Sequence, residues 1–336
     1  MIAAALSATL VYAQDAENVG NSAQLSIIPR IDLNPYVGFR SDAGTDFSLS
    51  NSSLYTLFEG NFGEHFSYSI MNHWLCEEPG SLYEDTFFHS DVVNWCDWAN
   101  LTYSAGDFYV TLGKNPMALG LWEQDAYDYE SHFDLNTTAW NNLQVYQWGG
   151  DFGYYFTEDM YGVLQLTSSP FSVKPFQNNI FSAGAMLRND GGDFNYMASF
   201  NALGIGDGYF IKMVNAGGLY SFGDCVAGLD LSWHFDRSEG SFLNEASAAA
   251  SFEYDPSDKL NLIFKAGYED TLRMNNGIAL PLFCIPDHFF CGLATHYYPL
   301  RDNDALRLHA VVAYDNGFDG LSINIGALYN ISINIK

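Results

Sequence analysis

The chain ends in a strict alternation of apolar and polar residues, LSINIGALYNISINIK. Every odd position from Leu321 to Ile335 is apolar, and the even positions are small or polar except at Leu328. Successive side chains of a β-strand point to opposite faces, so this period of two predicts a strand with one apolar and one polar face. Strands of soluble domains usually have about five or six residues, whereas a tilted membrane-spanning strand needs about 9–11. The length therefore favours a strand that crosses a membrane.

The same alternation recurs elsewhere in the chain, in residues 25–39, 225–235, 260–269 and 306–314. The charged residues of the strand-like segments share the phase opposite the apolar face, and they are Arg30, Asp32, Arg40, Glu59, Asp230, Glu253, Lys265, Glu269 and Arg307. A two-layer sheet would give similar parity, but no amphipathic helix that would cover its apolar face is apparent. Because Lys or Arg facing lipid costs about 2–4 kcal/mol, this parity predicts an apolar outer face and a wet interior.

Short and long connections alternate along the chain. The short ones are 61–65, 105–107, 157–159, 189–193, 223–224, 255–258 and 300–304. The long ones are 41–53, 77–97, 115–139, 168–179, 201–208, 237–244, 270–291 and 315–320. We predict an all-β fold, a transmembrane antiparallel up-and-down β-barrel of about 16 strands with short periplasmic turns and long extracellular loops. A barrel of about 16 strands leaves an aqueous channel.

Aromatic residues cluster near the ends of the predicted strands. This set comprises Trp74, Trp98, Phe108, Trp148, Phe156, Trp233, Phe252, Tyr254, Tyr268 and Tyr314. Such a distribution is typical of the aromatic girdles at the two membrane interfaces. The alternative is that these rings belong to an ordinary sheet core.

The start of the chain and its cysteines indicate export. Residues 1–13, MIAAALSATLVYA, resemble a secretory signal without its basic region, which leaves 14–336 as a single barrel domain in the bacterial outer membrane. Five cysteines fit an oxidising compartment. Two loop-closing disulfides are predicted, Cys76–Cys96 and Cys284–Cys291, with Cys225 left over. Five free thiols are the alternative.

Charge excludes one class of partner. The formal net charge is −27, from 13 Lys and Arg against 40 Asp and Glu, so nucleic acid is excluded as a natural partner.

No phosphate-binding loop, zinc-protease, paired-cysteine or serine-hydrolase motif is present, so we expect no enzyme activity and no cofactor. The acidic segments 123–130 and 255–259 leave open a divalent cation that bridges the barrel to lipopolysaccharide. The other expected partners are outer-membrane lipid, ions and small hydrophilic solutes.

The third long connection, 115–139, is both acidic and apolar. It carries Glu123, Asp125, Asp128, Glu130 and Asp134, together with the apolar residues Leu119, Leu121, Trp122 and Phe133. Apolar anchors predict that this loop folds inward and lines the lumen with carboxylates. The inward basic residues Arg30, Arg40, Lys265 and Arg307 lie on strands around the closing seam, so we expect a transverse field across a constriction. Scattered solvated charges are the alternative.

The architecture resembles the general diffusion porins, which have sixteen strands, an inward third loop and opposed charges. The segment SAGDFYVTLGKNPMALGLWEQD (residues 104–125) is similar to the strand-and-loop passage of the porin O/P-like family, including members from Bacteroidota. That family includes phosphate-selective members with basic pores. Here the inward basic residues are few and the third loop is acidic, which argues against phosphate selectivity. The chain also ends in Ile335-Lys336 rather than in the terminal aromatic residue of many outer-membrane proteins.

The leading functional hypothesis is a passive pore for small hydrophilic solutes with a preference for cations. The alternative is a surface binding or interaction barrel, such as a ligand-specific channel, an adhesin or an assembly partner, which the aromatic loop between Cys76 and Cys96 would favour. A third hypothesis, an outer-membrane enzyme, has no motif in its support. The sequence leaves open whether three barrels associate as a homotrimer.

Overall fold

A computed structural model describes residues 21–39, 45–49, 52–75, 96–124, 135–137, 140, 143–172, 174–206, 208–235, 245–271, 287–300, 304–317 and 320–335. The predicted signal at 1–13 lies outside these residues. Within them, the helical segments include short 3-10 turns at Trp122–Gln124 and Gln177–Asn179. None of the helices in the described ranges is long and apolar enough to span a membrane.

The described chain is built almost entirely from β-strands. In chain order these are β1 (Ser22–Gly38), β2 (Thr45–Ser48), β3 (Ser53–Phe62), β4 (Phe66–Leu75), β5 (Cys96–Ala105), β6 (Phe108–Pro116), β7 (Tyr146–Tyr155), β8 (Met160–Ser168), β9 (Phe181–Asn189), β10 (Phe194–Gly206), β11 (Tyr209–Phe222), β12 (Cys225–Phe235), β13 (Glu245–Ser257), β14 (Leu260–Thr271), β15 (His288–Tyr297), β16 (Leu306–Asp315), β17 (Gly320–Tyr329) and β18 (Ile331–Ile335). From β3 onwards, each strand pairs antiparallel with the next one along the chain as far as β17, so the sheet has a simple up-and-down order.

The sheet closes on itself through β1. On one side, β1 pairs with β2 and β3, which are two pieces of one interrupted strand. On the other side it pairs with β17 and β18, with Leu33 opposite Ile325 and Leu25 opposite Ile333. Counting each interrupted strand once turns eighteen segments into sixteen barrel strands. The predicted fold, a transmembrane antiparallel up-and-down barrel of about 16 strands, is confirmed.

Side chains alternate between the two faces as the sequence predicts. On β8, Leu164 is 61% exposed while its neighbour Gln165 is 6% exposed. On β17, Ile325 is 51% exposed and Asn324 is 6% exposed. Most of the predicted inward charges are buried on the inner face, namely Arg30, Asp32, Asp230, Lys265, Glu269 and Arg307, whereas Glu59 and Glu253 are half-buried and Arg40 lies outside the described residues. The apolar face therefore points outward, where a bilayer would meet it.

Aromatic rings form a belt around the outer surface at the short-turn ends. Phe66 lies 5.2 Å from both Phe62 and Tyr103 between ring centroids, and Tyr220 and Phe222 continue the belt on β11. This belt agrees with the predicted girdle at that end. Trp98 is an exception, because its side chain is buried and its Nε1 donates to Ser69 Oγ at 2.7 Å, so it belongs to the inner wall. A bulge between Met71 and Asn72 shifts the register beside it.

Two predicted loops contain strand, since β2 lies within 41–53 and most of 201–208 belongs to β10. Residues 201–206 continue β10 and the connection to β11 is only 207–208, so the predicted loop at 201–208 is largely strand. The Gly and Asp residues there suggest a loop, but the register shift between Gly204 and Gly206, with φ of 111° at Gly206, marks a bulge within a strand. A bulge breaks the alternation without ending the pairing.

Candidate functional site: the third loop and the inner wall

The third long connection runs from the end of β6 to the start of β7 and turns into the lumen. Of its residues, 117–124, 135–137, 140 and 143–145 are described. Met117, Leu119, Leu143 and Val145 are buried against the inner faces of β10 and β11, where Leu203, Ile211 and Met213 form the other half of the cluster. The apolar anchors therefore cover wall positions that would otherwise face the lumen.

Polar groups of the wall hold the first half of the loop. The Oε1 of Gln165 accepts from the Ala118 N–H at 2.9 Å, and its Nε2 donates to the Pro116 carbonyl at 2.9 Å. The carbonyl of Leu119 accepts from Ser199 Oγ at 2.5 Å and from Asn215 Nδ2 at 2.6 Å. A buried backbone group without a partner costs free energy, so these wall side chains are what allow an irregular segment to lie inside the barrel.

Asp230 on β12 anchors the short 3-10 turn at Trp122–Gln124. Its Oδ1 accepts from the Trp122 N–H at 3.0 Å and its Oδ2 from the Glu123 N–H at 2.7 Å. The first N–H groups of a helical turn have no carbonyl acceptor within the turn, so the Asp230 carboxylate serves as the acceptor for these two. The Trp122 ring is also covered by the guanidinium of Arg188, 4.9 Å from the ring centroid.

Glu123 is held on its other side by Lys265 of β14. Lys265 Nζ donates to Glu123 Oε1 at 2.9 Å, and both side chains are 1% exposed. Thr137 donates its N–H to Glu123 Oε1 at 2.9 Å and its hydroxyl to Oε2 at 2.6 Å, while Lys265 also donates to Asn136 Oδ1 at 2.8 Å. Lys265 and Glu123 therefore neutralise each other in direct contact rather than facing each other across water.

The described loop contact that lies furthest round the wall is made by Leu135. Leu135 is fully buried among Ala249, Ile263, Phe290, Ala294, Val311 and Ala313, which are inward residues of β13 to β16. The loop thus follows the inner wall from β8 to β16. Both of its ends pack on β10 and β11, while Glu123 and Leu135 are held by strands further round, which makes the loop part of the barrel interior.

A second charged cluster lies at the seam. Arg30 pairs with Asp32 on β1, and Asp32 Oδ1 contacts His309 Nε2 of β16 at 2.7 Å. Gly326 of β17 lies between Asp32 and His309 in register. A Cβ at Gly326 would collide with Asp32 and lie 2.6 Å from His309 Nε2, so glycine allows the two strands' side chains to meet across β17. In register, Leu328 lies between Arg30 and Arg307 in the same way.

The structure brings together only some of the predicted constriction residues. Glu123 and Lys265 meet on the loop, and Arg30 and Arg307 flank the seam. The remaining residues of the prediction, Asp125, Asp128, Glu130, Asp134 and Arg40, lie outside the described residues. Sequence reasoning placed Asp230 on the inner face but missed its anchoring role, and it missed Gln165 and Asn215 altogether. Their only signal was inward parity on a strand.

Cysteine and metal predictions are partly outside the description. Cys96, Cys225 and Cys291 form no disulfide with one another, while Cys76 and Cys284, the predicted partners of Cys96 and Cys291, lie outside the described residues. The two disulfides therefore stay predictions. In the part of the chain that the structure describes, no group of three or more His, Cys, Asp or Glu side chains is arranged to hold a metal ion.

Comparison by sequence finds no relative: no protein-family model matches the chain, and neither does any curated protein. Comparison by structure does. The outer-membrane channel DcaP of Acinetobacter baumannii is similar with a TM-score of 0.64 at 12% identity, over 93% of this chain and 98% of that one. An anion-selective porin from Comamonas acidovorans gives 0.62 at 10% identity, over 93% and 100%. OmpT of Vibrio cholerae gives 0.61 at 12% identity, over 94% and 99%.

At these identities the likeness concerns the fold. It extends over nearly the whole length of each chain, so the barrel, rather than a fragment of sheet, is what they share. The resemblance to the porin O/P-like family stays a prediction. The chain has the closed sixteen-stranded barrel fold of outer-membrane channels.

Proposed function

We propose that this protein is a passive, water-filled channel of the bacterial outer membrane for small hydrophilic solutes. The observation that carries the proposal is the closed barrel with an apolar outer face, a polar inner face and a third loop attached to the inner wall. Sixteen strands enclose a lumen wide enough for an aqueous path, and an inward loop narrows it. The outer-membrane channels of similar fold support the same function.

A preference for cations is the second part of the proposal. The formal net charge is −27, and the third loop contains Asp125, Asp128, Glu130 and Asp134 besides Glu123. Carboxylates along a narrow path raise the local concentration of cations and exclude anions. Because Glu123 is already neutralised by Lys265, the other four carboxylates are the ones expected to act on the permeating ion.

The test is single-channel recording of the purified protein in a planar bilayer with asymmetric potassium chloride. We expect ohmic conductance steps and a reversal potential on the cation side. Neutralising Asp125 and Asp128 together should move the reversal potential towards zero. The control is the double variant Glu123→Gln with Lys265→Met, which removes both charges of a neutralised pair and should change the reversal potential less. A purified, folded barrel that inserts without any conductance would overturn the proposal.

The remaining expectations complete this proposal. Residues 1–13 act as the export signal, disulfides join Cys76–Cys96 and Cys284–Cys291, and outer-membrane lipid and lipopolysaccharide surround the barrel, with divalent cations bridging to its acidic loops. Three barrels associate as a homotrimer. Mass spectrometry of the mature, unreduced protein tests the first two of these expectations. Light scattering in detergent tests the trimer.

A further inference from the structure

The described residues of the third loop contact one arc of the inner wall. Its described contacts fall successively on Gln165 of β8, Ser199 of β10, Asp230 of β12, Lys265 of β14 and the residues around Leu135 on β13 to β16. The wall formed by β1, β3, β4, β5 and β18 lies on the other arc. A solute that passes the described part of the loop would follow this second arc.

A cavity of about 110 Å³ lies on this second arc, at the short-turn ends of its strands. Its inward lining side chains are almost all hydroxyls and amides, including Gln24, Ser69, Asn100, Thr102 and Asn334. They form a continuous row, since Asn334 pairs with Gln24, Gln24 with Glu59, Glu59 with Ser69, and Ser69 with Asn100 in register across five neighbouring strands. The row is a polar band that runs across these strands on the inner wall, at the short-turn side of the barrel.

Glu59 carries the one carboxylate in the lining of this cavity, which includes no Lys, Arg or His. It is half-buried on the inner face of β3, and no ion pair with another described residue involves it. This contrasts with Glu123, which Lys265 neutralises, and with Asp32, which contacts Arg30 and His309. A charge that is not neutralised acts at full strength on a passing ion in a narrow channel.

We infer that the permeation path runs along the β1, β3, β4 and β5 arc and that Glu59 is a specificity-determining residue on it, favouring small cations. The inference rests on the proposed channel function and adds the position of the path and the residue. The polar row binds the hydration water of the ion, and Glu59 supplies the charge.

The test compares matched carboxylates on the two arcs. Glu253 of β13 is also half-buried, points inward and lies at the short-turn end, but on the arc that the loop covers. Reversal potentials in asymmetric potassium chloride are measured for the wild type, Glu59→Gln, Glu59→Lys and Glu253→Gln. Asn334→Glu, on the exposed end of β18, adds a carboxylate to the row without removing Glu59.

Removing the charge of Glu59 should lower the cation-to-anion permeability ratio by about two- to fivefold, the effect of one unit charge a few ångströms from the ion in water. Glu59→Lys should lower it further, Asn334→Glu should raise it, and Glu253→Gln should leave it near the wild-type value. Heat-modifiable migration on gels confirms that each variant is folded. Should Glu59→Gln fail to fold, the cation-to-anion permeability ratio of Asn334→Glu alone decides whether the ion passes this row.

The outcomes separate the two proposals. A wild-type barrel without conductance would refute the channel itself. A conducting wild type whose ion preference is unchanged in Glu59→Gln and in Asn334→Glu would leave the channel standing and refute this path. Equal shifts for Glu59→Gln and Glu253→Gln would also refute it, because the ion would then sense both arcs alike.

Discussion

The ammonium group of Lys265 lies 2.9 Å from Oε1 of Glu123, and both side chains are 1% exposed. One residue belongs to the barrel wall and the other to the third loop, 142 positions away in the chain. A buried ion pair is strongly destabilising when only one partner is removed, because the other charge stays buried without compensation. The pair therefore links the position of the loop to the stability of the barrel.

Lys265→Met is expected to detach the middle of the loop or to lower the free energy of unfolding by about 3–5 kcal/mol, since Glu123 would remain as an uncompensated buried charge. Urea unfolding in detergent measures the stability, and limited proteolysis within 117–145 measures the detachment. The double variant Lys265→Met with Glu123→Gln should recover most of the loss. If the double variant is as unstable as the single one, the loss is due to packing.

Asp230→Ala should loosen the 3-10 turn, because the N–H groups of Trp122 and Glu123 would lose their acceptor. Each buried donor left without a partner costs about 1–3 kcal/mol. We expect faster proteolysis of the third loop and noisier single-channel current. Asp230→Asn keeps one good acceptor and should lie between the wild type and Asp230→Ala. Equal proteolysis rates in all three proteins would contradict the anchoring role.

Gly326→Ala should destabilise the seam, because the added methyl group would collide with Asp32 and crowd His309. Folding yield and the unfolding midpoint in detergent measure the effect. Gly162→Ala on the outer face of β8 is the control, since there the nearest atoms to a new Cβ are those of the Phe156 ring at 3.2 Å. Alanine is favoured over glycine within a strand by about 0.5–1 kcal/mol, so the control should be neutral or stabilising. Unchanged stability of Gly326→Ala would mean that Asp32 and His309 do not meet there.

Leu164→Arg should destabilise the barrel in lipid vesicles by about 2–4 kcal/mol, the cost of a guanidinium on the lipid face near the bilayer midplane. Leu164 is 61% exposed on the outer face of β8. The same substitution at Leu300, in the turn between β15 and β16, should cost much less. Equal costs at the two positions would contradict the proposed position of the barrel in the bilayer.

The fold was largely predictable because alternation is a local property. The alternation within a single strand distinguishes its inward residues from its outward ones, so Lys265 and Asp230 could be assigned to the lumen without knowing their neighbours. What lies beside a residue on the wall depends on register, which the sequence does not encode locally. The contact of Asp32 with His309 across Gly326, and the position of Leu328 between Arg30 and Arg307, follow only from the pairing of β1, β17 and β16.

The third loop was predictable to the same extent: its inward direction could be inferred from the sequence, but its contacts could not. Its apolar anchors were visible in the sequence, yet their sites on the wall were not, because Leu135 and Leu119 pack on strands far along the chain. Glycine is common both in loops and in bulges, so the sequence predicts a loop where the structure has a bulge at Gly204 and Gly206. The ion pair of Glu123 with Lys265 was predicted as a field across water and is found as a direct contact.

The pairing of β1 with β17 and β18 has a consequence for biogenesis. Leu25 pairs with Ile333, which is synthesised hundreds of residues later. The first strand therefore keeps an unpaired edge until synthesis is finished. A nascent or truncated chain would expose both open edges to aggregation. Export must therefore deliver the whole polypeptide before the ring is sealed, and both edges have to be kept from pairing with other chains until then.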